Sequence, residues 1–382
     1  MYQRDVTRFY CTIMRGGSSK GIFLMENDLP QDPKTRDKII LSIFGSPDPR
    51  QINGLGGAEM LTSKLALISA PTRSDADVDF VFGQVEIEKP VIHYDGLCGN
   101  ISSAVGPYAI EEGLVKATEP ITKVRIHSRN TNQVFVAEVP VKDGHPIIEG
   151  NYSMAGVPGT GAEIKIDMKG TVGSRTGKFM PTGHPVDIVE VEDFGPLEMT
   201  LLDVVNPCIF VRAKDIGKRG DEVPADVNDD QNFVSLIERI RTAAVARMNI
   251  SNWMSSAPIP FVVFVSDPKD YVNHLSKKIV PGADVDFLAR MMMLGKMHQT
   301  YAGSVTCVTG AAAVLPGSVV NEVARLAPGQ AVVRMGHPGG VIPVEAAVTK
   351  AGGEYVLQRI VYGRTARRLM DGYVYVPNSI IK

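Results

Sequence analysis

Cys98-Gly-Asn-Ile-Ser-Ser-Ala-Val-Gly-Pro-Tyr-Ala-Ile-Glu-Glu-Gly113 is apolar, yet rich in Gly, Ser and Ala. It reads as a helix of small residues. Such a helix is thin enough to sit inside a tight wrap of strands, packed on every side. A second stretch of the same kind, Cys307-Val-Thr-Gly-Ala-Ala-Ala-Val-Leu-Pro-Gly317, lies about half a chain further on. That spacing reads as an internal repeat. The expected architecture is α+β with a β majority: two similar halves, each a curled sheet around one central helix.

The flanking sequence agrees with a strand wrap. Residues 9–14, 21–24, 64–69, 78–87, 123–126 and 134–139 are β-branched or alternating, with turn residues between them. The pattern returns at 199–203, 207–213, 261–265, 330–335, 341–348 and 355–362. Three further segments read as helices: 34–44, stopped by Gly45-Ser46-Pro47, then 232–248 and 285–293. The charged stretch 215–231 reads as an exposed loop. The Pro/Gly-bearing stretch Met180-Pro-Thr-Gly-His-Pro185 reads as the crossover. The expected domains are therefore 1–184 and 185–363, with the segment 364–382 returning to the first.

Composition removes several classes of function. The 382 residues carry 40 Lys and Arg against 42 Asp and Glu, a net charge of -2. A nucleic-acid binder needs a basic excess or stripe to neutralise phosphates, so none is expected here. No apolar run reaches the roughly 18 residues of a transmembrane helix. Arg4, Asp5, Arg8 and Arg15 interrupt the start of the chain, which does not read as a signal peptide. Cys11, Cys98, Cys208 and Cys307 form no close pairs, and the seven histidines show no HxH or HExxH spacing. Free thiols in a reducing cytosol and no metal are the expectation.

Two motifs carry chemistry. Gly54-Leu-Gly-Gly-Ala-Glu-Met-Leu-Thr-Ser-Lys64 is not a Walker A loop, because Ser63 precedes the lysine. It is not a dinucleotide fingerprint either, because Glu59 stands where the third glycine belongs. It reads as a Gly-rich turn that brings backbone close to a small anion. Lys64, next to the apolar run Leu-Ala-Leu-Ile68, either snorkels to the surface or is partly desolvated and able to act as a base. Cys98 precedes the first small-residue helix. Amide groups at a helix N-terminus stabilise a thiolate or bind a carboxylate, and Asn100 is placed to cap that helix. The plain alternative is a small buried thiol.

These residues carry a resemblance. Cys98-Gly-Asn100 with its Ala/Gly helix is similar to the first half-site of diaminopimelate epimerase and its relatives. Cys307-Val-Thr-Gly310 resembles their second half-site, and Val205-Asn206-Pro207 their Asn-Pro substrate-binding turn. Longer motifs follow in order: Met14-Arg-Gly-Gly-Ser-Ser-Lys-Gly21, Gly45-Ser-Pro-Asp-Pro-Arg-Gln-Ile-Asn-Gly-Leu-Gly-Gly57, Leu61-Thr-Ser-Lys64, Gly336-His-Pro-Gly-Gly340 and Arg364-Thr-Ala-Arg367. Together they resemble the PrpF family over nearly the whole chain. The Arg-Thr-Ala-Arg-Arg ending and the stretch 337–345 resemble its methylitaconate Δ-isomerase branch most.

The resemblance implies a diaminopimelate epimerase-like fold and a cofactor-independent 1,3-allylic isomerase. Its substrate would be an unsaturated di- or tricarboxylate of methylitaconate, aconitate or oxalomesaconate type. The matching catalytic positions are Lys64 and Cys98. Ser18, Ser19, Lys20, Gln51, Ser63, Gly99, Asn100, Asn206, Thr309 and Gly310 are the expected substrate contacts. A two-cysteine racemase using Cys98 and Cys307 is the alternative, although Val308 crowds the position after the second thiol. A non-catalytic accessory protein of an aconitase-like dehydratase is the other. The expected partner is a small polycarboxylate in a cytoplasmic homodimer, with no membrane or nucleic acid.

Overall fold

The computed structural model describes residues 5–94, 96–154, 156–250, 259–293 and 295–381. The chain forms two compact units. One runs to Ile166 and resumes at Arg364; the other is Asp167–Gly363. The division falls earlier than the stretch 180–185, which lies inside the second unit.

In the first unit, β1 (Val6–Gly16) pairs antiparallel with the C-terminal strand Ala366–Pro377 and with β2 (Ser19–Met25). Helix α1 (Pro33–Phe44) leads to β3 (Lys64–Ser69), parallel to β2, and β4 (Val78–Val85) is antiparallel to β3. Helix α2 (Gly99–Glu111) leads to β5 (Ile121–Ser128), parallel to β4, and β6 (Gln133–Lys142) closes antiparallel.

The second unit repeats this order. Strands β7 (Asp187–Val191), β8 (Gly195–Val204) and β9 (Asn206–Arg212) are antiparallel neighbours. Helix α3 (Gln231–Met248) precedes β10 (Phe261–Ser266), parallel to β9, and β11 (Phe287–Met293) is antiparallel to β10. Helix α4 (Gly303–Val314) precedes β12 (Val332–His337), parallel to β11, and β13 (Gly340–Ala351) is antiparallel to β12. Both units read antiparallel, antiparallel, parallel, antiparallel, parallel, antiparallel, with a helix in each parallel crossover. The repeat is thus one of topology.

The two small-residue stretches are the central helices. In α2 every residue from Ile101 to Ile110 is buried, and in α4 every residue from Gly303 to Ala313. A helix apolar on all faces is stable only when enclosed. The wrap is tight: a Cβ on Gly106 would lie 2.9 Å from Ala137 Cβ and Val139 Cγ2, and one on Gly310 2.6 Å from Val344 Cγ1. By contrast α1 and α3 are amphipathic. Ile39, Ile40, Ile43 and Phe44 face the first core, and Phe233, Ile237, Ile240 and Ala244 the second. Asp32 and Asp230 cap these helices by accepting the Thr35 and Phe233 amides.

Two expectations are corrected. The segment expected as a helix at 285–293 holds a strand, Phe287–Met293, because this run, apolar apart from Arg290, sits between β10 and β12. An apolar run of strand length, buried on both sides, carries no period to tell it from a helix. The stretch 215–231 is anchored, not loose. It holds the short helix Pro224–Asn228, and buried Glu222 accepts the Arg219 and Gly220 amides while its carbonyl accepts Arg290 Nε at 2.7 Å.

Gly106→Val is expected to destabilise the protein by about 1–3 kcal/mol through overpacking. Urea unfolding followed by circular dichroism measures the loss; an unchanged midpoint would contradict the close wrap around α2.

Candidate active site

Lys64 opens β3, opposite Gly21 on one side and Gln84 on the other. It is 8 % exposed. Its Nζ donates to Gln84 Oε1 at 2.8 Å and lies 5.3 Å from the centroid of the Phe82 ring. Among the described residues Lys64 makes no ion pair. The other end of the Gln84 amide donates to the Ser63 carbonyl at 2.9 Å and the Met60 carbonyl at 3.2 Å.

The Gly-rich loop before Lys64 is held from within. Gln51 adopts φ 44° and is buried. Its Nε2 donates to Ser46 Oγ at 3.0 Å and Ser63 Oγ at 2.9 Å, and its Oε1 accepts the Ala58 amide at 2.8 Å. Ser63 Oγ in turn donates to the Val85 carbonyl. The polar atoms of Gln51 and Ser63, expected to meet substrate, are engaged in stapling the loop. Lys20 donates its amide to the Leu61 carbonyl, and a Cβ on Gly57 would lie 3.2 Å from Lys20 Nζ.

Cys98 is the N-cap residue of α2 and is partly exposed. The first turn of α2 carries no acidic residue. Its leading N–H groups have no partner within the helix, which favours an anion there. Asn100 does not cap the helix. Its Nδ2 donates to Ser18 Oγ at 3.1 Å, and its Oδ1 accepts Arg364 Nε at 3.2 Å. Gly17, at φ 53°, must be glycine: a Cβ would lie 2.3 Å from Asn100 Oδ1. Gly21 has the Lys64 carbonyl and Ile101 Cδ1 both within 3 Å of where a Cβ would be. The Gly-Gly-Ser-Ser-Lys-Gly turn therefore lies against the first turn of α2 and against the strand that opens with Lys64. Arg15 Nη1 fixes the turn by donating to the Gly17 and Thr365 carbonyls. Ser19 Oγ is buried without a hydrogen-bond partner among the described residues.

In this first unit the structure thus brings Ser18, Asn100 and Arg364 into one hydrogen-bonded cluster, with Cys98 and Gly99 beside it. Two members escaped the sequence reading. Arg364 is 5 % exposed, and the available signal was a cation in an otherwise buried strand run. Gln84 had no sequence signal, because its role comes only from the register with Lys64.

The remaining expected residues are in the second unit. Asn206 follows Val205, whose φ of 63° is a strained value for a β-branched side chain. By topology the Val205 turn is the counterpart of the Gly17-Ser18 turn. Thr309 and Gly310 lie well inside α4 rather than at its start. Thr309 Oγ1 donates to the Val305 carbonyl at 2.7 Å and pairs with Tyr301 Oη at 2.8 Å, while Gly310 packs on Val344. Cys307 is also inside the helix, fully buried, its Sγ donating to the Gly303 carbonyl. The N-cap of α4, counterpart of Cys98, is Ala302. The first residue of β10, counterpart of Lys64, is Phe261, and the register continues to Met293 where β4 has Gln84. Lys64, Gln84 and Cys98 thus have apolar counterparts in the second unit.

Paired halves, each a sheet curled around a small-residue helix, define a diaminopimelate epimerase-like α+β fold. The chain belongs to the PrpF family, whose model, described as "PrpF protein", matches residues 6–377, and it is an isomerase. It is 46 % identical over 380 residues to the 3-methylitaconate isomerase of Eubacterium barkeri, covering 98 % of this chain and 99 % of that one. It is 37 % identical to the 2-methyl-aconitate isomerase of Shewanella oneidensis, covering 96 % of each. A solved methylitaconate-delta-isomerase matches with a TM-score of 0.91 at 45 % identity, over 99 % of this chain and 98 % of that one. A hydroxyproline epimerase from Agrobacterium vitis shares the fold alone, at a TM-score of 0.55 and 14 % identity. No helix among the described residues is long and apolar enough to cross a membrane.

The four thiols differ sharply in setting. Burial pushes the Cys11 thiol up to about 11, with Asp371 adding to the effect, and burial raises Cys208 as well. Native protein at pH 8 is expected to react with Ellman's reagent at one thiol per chain, and Cys98→Ser is expected to remove that reaction. Reaction of two or more thiols in the folded protein would contradict this arrangement.

Proposed function

We propose that this protein moves a carbon–carbon double bond one position along an unsaturated di- or tricarboxylate of methylitaconate, aconitate or oxalomesaconate type, without a cofactor. The observation that carries the reading is Lys64, buried and free of any ion pair among the described residues, in the same unit as a thiol at the N-cap of a buried helix. The relatives' names supply the substrate class.

The chemistry balances with these groups alone. The amine of Lys64 takes a proton from the allylic carbon next to the conjugated carboxylate. The electron pair left behind spreads into a dienolate, with charge on a carboxylate oxygen. A proton is then delivered two carbons away by the Lys64 ammonium or by the Cys98 thiol. Amides in the first turn of α2, at Gly99 and Asn100, suit the charge that builds on the carboxylate. Ser18, Ser19, Lys20 and Arg364 supply hydroxyl and cationic contacts for the carboxylates.

In D2O, turnover of a panel of 3-methylitaconate, 2-methyl-cis-aconitate and 4-oxalomesaconate is expected to place deuterium at the carbon that receives the proton, read by NMR. Lys64→Ala is expected to lower kcat by about 10²–10⁴-fold. Cys307→Ala is expected to keep nearly full activity. An inactive but folded Cys307→Ala together with an active Lys64→Ala would overturn the proposal in favour of a two-thiol racemase.

A further inference from the structure

The Lys64 ammonium lies between two residues of one strand face, Phe82 and Gln84, spaced two apart on β4. Burying a cation is costly unless it is paired or hydrogen-bonded. Buried lysines commonly meet that cost with a carboxylate, but here the partner is an amide oxygen. Its orientation is fixed. The Ser63 and Met60 carbonyls can only accept, so the NH2 end of Gln84 must face them, and Oε1 must face Lys64 Nζ. Strand register sets Gln84 directly opposite Lys64. The second unit, where the position of Lys64 is Phe261, has Met293 in place of the glutamine, so the amide accompanies the lysine rather than the fold.

We infer that Gln84 is the positioning residue of Lys64: it aims Nζ through one hydrogen bond and places no negative charge beside it. The inference rests on the reading of Lys64 as the proton carrier. A carboxylate at the same place would make an ion pair and favour the ammonium. An apolar side chain of similar length would leave Nζ unaimed and would free the Met60 and Ser63 carbonyls.

The test uses Gln84→Glu and Gln84→Met in the full-length protein, with two readouts. The first is the pH dependence of kcat/KM on the active member of the substrate panel. The second needs no substrate: trace acetylation of Lys64 by acetic anhydride across pH, read by peptide mass spectrometry. For Gln84→Glu, the limb rising with pH is expected to move up by about one pH unit or more in both readouts. Activity is then about tenfold or more below wild type near neutrality and recovers toward it at alkaline pH. For Gln84→Met, kcat is expected to fall at all pH values without that recovery. A folded Gln84→Glu whose acetylation limb stays where it is in wild type would overturn the inference. So would a Gln84→Met variant with wild-type kcat, which decides the matter if the glutamate variant does not fold. If instead Lys64→Ala turns over normally, it is the proposed function that fails, and the acetylation limb still reports on Gln84.

Discussion

Everything in this fold follows from enclosing a helix on all sides. A helix that touches strands around its whole circumference must be thin where the wrap is closest, so α4 is built mostly from Gly, Ala, Ser and Thr, and α2 carries six Gly, Ala and Ser among its 13 residues. Enclosure also brings the start of α2 up against neighbouring backbone. The chain answers with a glycine turn laid against that helix end and a partly exposed thiol at its cap. The candidate site grows out of a packing problem, because the same close approach that demands Gly17 and Gly21 draws Ser18, Asn100 and the Lys64 strand together.

The surroundings of Lys64 show how a buried lysine is held without a carboxylate partner among the described residues. One amide acceptor and one aromatic face are modest partners compared with a carboxylate. The loop before it does not rely on its glycines alone. Gln51 fills the space beside Gly56, where a Cβ would lie 2.2 Å from the amide oxygen, and pins both arms of the loop. The backbone strain at Gln51 is compensated by using every polar atom of its side chain. The second unit keeps the topology while Phe261, Met293 and Ala302 stand at the corresponding places. The repeat of topology therefore does not extend to these side chains.

Much of this was legible in the sequence. The two small-residue stretches announced the central helices because nothing but enclosure explains so little bulk in an apolar run. Amphipathic periods marked α1 and α3. The misreadings have definite causes. Residues 287–293 are apolar apart from the buried Arg290, and a strand covered on both sides erases the alternation by which strands are recognised. Asn100 has the right chemistry for a cap, but it lies inside the first turn, after the N-cap Cys98, and its oxygen accepts from the distant Arg364. Gln84 and Arg364 were invisible as site residues for the same reason, since one is defined by cross-strand register and the other by a partner 264 positions away. The similarity between Cys98 and Cys307 misled in a subtler way: their neighbours match, but one residue begins its helix and the other lies within it.

The pairing of β1 with the strand Ala366–Pro377, from Val6 opposite Pro377 to Gly16 opposite Ala366, joins the two sequence segments of the first unit into one ladder. Without that strand β1 would offer an unpaired hydrogen-bonding edge, the kind that invites pairing with other chains. The second unit is continuous in sequence and holds no strand of that ladder. Loss of residues 366–377 is therefore a lesion of the unit that carries Lys64 and Cys98, and it turns an internal strand into an exposed edge.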